Sequence, residues 1–141
     1  MTPTASLLLL SLLLLGCSGP RPTPLPDING LLRQNASSRR DPALAQRWLA
    51  SLTLRGGRER VDLVDLGARQ PVPLPGLNRA DAQPISVSVS ADGTRLAVVQ
   101  QRDERTELVL YRRNVGTVQR LPLEPPGVPR AVSLNADGRR L

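Results

Sequence analysis

Few residues in this chain could do chemistry. It has no histidine and one cysteine, Cys17, and all 19 basic residues are arginine. Without imidazole, a Ser-His-Asp relay and a His-ligated metal are excluded. Glu59, Asp62 and Asp65 share one stretch and Glu104 and Glu107 another, each among arginines. Solvated ion pairing is their expected use. No G-x-S-x-G, Walker loop, G-x-G-x-x-G or D-x-D-x-D-G calcium loop occurs. Asp92-Gly93 and Asp137-Gly138 remain. An Asp side chain accepts from the amide two residues on, and Gly takes a positive φ, so both pairs read as turns. The expectation is no catalytic residue, no metal, no cofactor and no enzyme.

Cys17 has a different setting. Leu7 to Leu15 is a leucine run broken only by Ser11. It is too short to span a bilayer, which takes about 20 residues, but has the length of a secretory signal core. Leu14-Leu15-Gly16-Cys17 resembles the lipobox of bacterial lipoproteins. That resemblance implies a signal peptide over residues 1–16, cleavage before Cys17, and lipidation of its thiol and new amino group. The acyl chains would then hold the protein to a membrane facing the periplasm. Ser18, rather than an aspartate, implies the outer membrane. A disulfide within one chain is excluded.

Residues 17–42 read as a tether and loop. Pro20 to Pro26 places four prolines in seven residues. That excludes ladder pairing and predicts an extended spacer of roughly 20 Å. Asp27 is a candidate cap for a short helical turn through Leu31-Leu32, kept short by Asn29-Gly30. Ser37 to Pro42 reads as loop.

The elements that would carry any site follow as repeats. Ile85, Val87 and Val89 alternate with Ser86, Ser88 and Ser90, the period of a half-buried strand. Asp92-Gly93 turns the chain, and Leu96 to Gln101 resumes as a strand. Glu107 to Arg112 and Val118 to Leu123 complete a unit. An earlier copy runs through Leu49 to Leu54, Arg60 to Leu66 and Gln70 to Leu74, with Ala45-Gln46 at the turn position. A third begins at the second Asp-Gly pair, 45 places after the first. A period near 45 with several short strands per unit is the signature of a propeller blade.

Ser90-Ala91-Asp92-Gly93-Thr94-Arg95-Leu96-Ala97 and Asn135-Ala136-Asp137-Gly138-Arg139-Arg140-Leu141 resemble the Asp-Gly repeats of TolB-type β-propellers. Alanine stands where that family has proline. The expected fold is all-β: a partial β-propeller over residues 43–141, with units at 43–77 and 84–126 and the start of a third at 129–141. The chain stops inside the second strand of that third copy, so a fragment or an unclosed stack is expected. The resemblance implies a periplasmic module that binds other proteins. The alternative is the propeller portion of a larger envelope hydrolase or sugar-binding protein.

The net charge is +7. Nucleic acid is nonetheless not the expected partner. The arginines are scattered, with adjacent pairs only at 39–40, 112–113 and 139–140, and one Trp and one Tyr leave little to stack on bases. Expected partners are the membrane through Cys17, and acidic envelope proteins or a second copy through strand edges. With no Phe, the core is expected from Leu, Val, Ala and Ile.

Overall fold

The structure, a computed structural model, describes residues 23–34 and 38–141. Cys17 and the leucine run lie outside the described residues. One helix, α1 (Pro26–Gln34), precedes eight strands: β1 (Ser38–Ala45), β2 (Trp48–Arg55), β3 (Arg58–Asp65), β4 (Gln70–Val72), β5 (Ala82–Val89), β6 (Arg95–Arg102), β7 (Arg105–Arg112) and β8 (Thr117–Leu121). They form two four-stranded antiparallel sheets, β1-β2-β3-β4 and β5-β6-β7-β8, each a meander in chain order. The fold is mostly β, and among the described residues the two sheets do not close into a ring.

Alternation decides the faces. Trp48, Ala50 and Leu52 on β2 and Val61 and Leu63 on β3 are buried on one face of the first sheet. They meet Val87, Val89, Leu96, Val98, Val109 and Tyr111 on the facing side of the second sheet. Leu52, Leu63, Leu96 and Val98 are nearly or wholly without solvent exposure. Each such side chain contributes about 1.5–3 kcal/mol of burial. The expected aliphatic core is incomplete: the single Trp and single Tyr are both in it. β5 is the strand that approaches the first sheet, lying against β1, β2 and β3.

Two readings of the tether are corrected. Residues 26–34 form a full helix through Asn29-Gly30, with Pro26 at its start and Asp27 in its first turn, both suited to a helix N-terminus. Ile28 is its buried residue, and Arg39 Nε donates to Leu32 O at 3.0 Å. These contacts tie the helix to the first sheet, which the local Asn-Gly signal could not reveal. The loop read at Ser37 to Pro42 is instead strand from Ser38 onward. Pro42 is tolerated because β1 ends the sheet and its register shifts between Arg40 and Ala43. Asp41 takes φ 50° there, and its carboxylate accepts from Val87 N at 2.7 Å. The first unit therefore begins at Ser38 and not at residue 43.

The repeat reappears as hydrogen bonds. Leu66 N donates to Arg47 O, and 47 places on Arg113 N donates to Thr94 O, both at 2.8 Å. Val87 N meets Asp41 Oδ2 across the sheets, and Val132 N meets Ser86 Oγ, each pair 46 residues apart. Residues 128–141 hold no strand, yet they cover the far face of the second sheet. Leu134 N donates to Ser88 Oγ at 2.9 Å and Ala91 N to Ala136 O at 2.9 Å.

Candidate functional site

The two Asp-Gly pairs occupy equivalent turns. Gly93 N donates to Ser90 O and Gly138 N to Asn135 O, both at 2.9 Å. Thr94 N donates to Asp92 Oδ1 at 3.0 Å, and Arg139 N to Asp137 Oδ1 at 2.8 Å. Ser90 Oγ and Asn135 Oδ1 accept from Arg95 N and Arg140 N at 3.1 and 3.0 Å. Gly93 and Gly138 have φ of 69° and 68°, where a Cβ is strained. Asp92 also accepts from the Ser90 hydroxyl at 2.6 Å and the Thr94 hydroxyl at 2.8 Å. The Ser90 bond, then those from Thr94, hold its carboxyl down at about 2. Every polar contact of this aspartate is thus spent within its turn.

Each turn glycine also seats a residue from the preceding sheet. Trp48 lies against Gly93, and Arg95, the position equivalent to Trp48, lies against Gly138. A guanidinium donates to the glycine carbonyl in both places: Arg113 Nε to Gly93 O at 2.7 Å, and Arg95 Nη1 to Gly138 O at 3.0 Å. Arg47 and Arg113 stand 4.9 and 4.8 Å from the Trp48 ring centroid, within cation–π range.

The carboxylates of β3 are ion-paired. Asp62 meets Arg39 and Arg55 at 3.5 and 2.5 Å, and Asp65 meets Arg47 at 3.1 Å. Glu59 pairs with Arg40, whose hydrogen bond lowers the Glu59 pKa first among its causes. Glu107 is held by Gln100 Nε2 at 2.8 Å and by Arg120 at 3.5 Å, not by the neighbouring Arg102 or Arg105. Among the described residues no three His, Cys, Asp or Glu side chains gather as a metal site.

The largest opening lies where the sheets diverge. A cleft of about 690 Å³ separates the Gly76–Arg79 loop from the outer strands of the second sheet. Its apolar lining is Leu77, Val109 and Val118. Arg79, Arg102, Arg105 and Arg120 edge it, with Asp103 and Glu107. Tyr111 Oη donates to Pro75 O at 2.9 Å and fixes the loop that forms one wall. Asp81 bridges two of the arginines: Arg79 Nε donates to Oδ1 at 2.9 Å, and Arg102 Nε stands 2.9 Å from Oδ2 as an ion pair outside hydrogen-bond geometry. The Arg79 hydrogen bond is the main reason the Asp81 carboxyl sits at about 2. Arg105 is exposed and has no partner among the described residues. Fixed guanidinium groups around an apolar floor recognise anions, and no carboxylate here stands ready to move a proton.

Sequence reasoning missed this cleft. Arg79, Arg105 and Arg120 lie far apart in the chain, and only sheet pairing and the Pro75 loop assemble them. No family model matches the chain, and no curated protein matches it.

Proposed function

We propose that the protein is a membrane-anchored periplasmic lipoprotein whose TolB-like propeller blades serve as a non-catalytic protein-interaction module in the cell envelope. The observation that carries the blade reading is the repeated inter-sheet joint. Val87 N on Asp41 recurs as Val132 N on Ser86, and Trp48 on Gly93 recurs as Arg95 on Gly138. Successive sheets of one design, stacked by one joint, are the construction of a propeller. The Leu14-Leu15-Gly16-Cys17 stretch supports the anchor. The ion-paired carboxylates and the arginine-edged cleft support binding over catalysis.

Metabolic labelling with radioactive palmitate tests the anchor. Label and membrane fractionation are expected for the wild type and lost in Cys17→Ala. Label that persists in that variant overturns lipidation at Cys17. A photo-crosslinking residue at Leu44, exposed on β1, tests the interaction. Adducts to an envelope protein in intact cells are expected, and their absence overturns the module reading.

A further inference from the structure

We propose that the cleft between the sheets binds an extended acidic peptide segment that alternates carboxylate and aliphatic side chains. This rests on reading the domain as a binding module. β8 ends its sheet, so its outer edge offers unpaired backbone groups to an added strand. Val118 and Arg120 alternate along β8 and both line the cleft. A strand laid beside them therefore meets an apolar neighbour and a cationic neighbour in turn.

The floor and rim agree with that occupant. Leu77 and Val109 are buried beneath the opening, while Val118 is 38% exposed and uncovered. Arg105 is free to take a carboxylate. Arg120 has 65% of its side chain exposed and only a 3.5 Å contact with Glu107, so it can turn outward. Arg79 and Arg102 are held in place by the shared Asp81. A purely polar polyanion would leave Val118 unmatched, and a basic peptide would face four guanidinium groups.

The test is fluorescence anisotropy with a labelled peptide of alternating Glu and Leu, titrated with the full chain in detergent micelles. Saturable binding is expected, and the Lys-Leu peptide of equal length should not bind. Arg105→Glu and Val118→Glu should each weaken binding about tenfold or more. Arg33→Glu, the same charge change on α1, should alter it by less than about twofold. Circular dichroism checks the fold of each variant, with Arg120→Gln replacing any that unfolds. Equal weakening by Arg33→Glu, displacement by polyphosphate as readily as by unlabelled peptide, or no saturable binding each overturns the proposal. Those failures leave the Leu44 crosslink and the palmitate label standing, so loss of the cleft and loss of the module are distinguishable.

Discussion

Trp48 and Gly93 are pressed together: a Cβ at Gly93 would stand 2.2 Å from Trp48 Cε2. The contact joins the first strand after one turn to the turn of the next sheet. It turns an apparently local glycine into an inter-sheet position.

Gly93→Ala should therefore destabilise by about 3 kcal/mol or more. Left-handed φ accounts for about 1 of this and displacement of a buried indole for the rest. Gly116→Ala has a similar φ of 64° but ordinary contact with Pro75 at 3.8 Å, and should show only the backbone cost, about 1 kcal/mol. Urea unfolding of both variants, with Trp48→Leu closing a double-mutant cycle on Gly93→Ala, measures the contact. Additive losses would show that the ring and the glycine do not oppose each other.

Ser86 and Ser88 latch the segment after β8. Replacing both by alanine removes the acceptors for Val132 N and Leu134 N. Each lost bond is worth about 1 kcal/mol, and 1.4 kcal/mol is a tenfold change in local opening. Hydrogen exchange at the Val132 and Leu134 amides should speed up about tenfold, with β6 amides unchanged. Uniform acceleration would mean that the segment opens only with the whole domain.

How much of this was readable differs by element. The serine alternation at 85–90 and the Asp-Gly turns could be read because strand period and left-handed turns are written in neighbouring residues. β1 was not, because its residues 39–42, Arg-Arg-Asp-Pro, look like loop. Its partners are distant: Arg40 meets Glu59, and Asp41 meets Val87. α1 crosses Asn29-Gly30 because Ile28 is buried and Leu32 O is engaged by Arg39. The cleft was invisible for the same reason, since Arg79 and Arg120 meet only once the sheets are paired.

Asp92 links the turn to pH. Its folded carboxyl, at about 2, lies below the ordinary 3.8. A depressed carboxyl contributes stability above the unfolded value that is lost as pH falls through the folded one. The contribution should be full above about pH 4 and vanish towards about pH 2. Thermal melts of wild type and Asp92→Asn between those limits isolate it from Glu59 and Asp81, which stay common to both. The gap in Tm should narrow on acidification. A gap independent of pH would show that the charged form gains nothing from Ser90 and Thr94.

Thr53 is the last position where structure and expectation conflict. It is 1% exposed on β2, and its hydroxyl has no hydrogen-bond partner among the described residues. A buried hydroxyl that regains no bond carries its desolvation penalty into the fold. Valine has nearly the same shape, keeps the β-branched preference for strand, and removes the orphaned oxygen. Thr53→Val should stabilise the domain by about 1 kcal/mol in urea unfolding, with the m-value unchanged. Thr53→Ser keeps the hydroxyl and loses the methyl, so it should destabilise by about 1 kcal/mol. A loss of stability in Thr53→Val would mean that the hydroxyl is bonded in solution, to a water or to a residue outside the described ones.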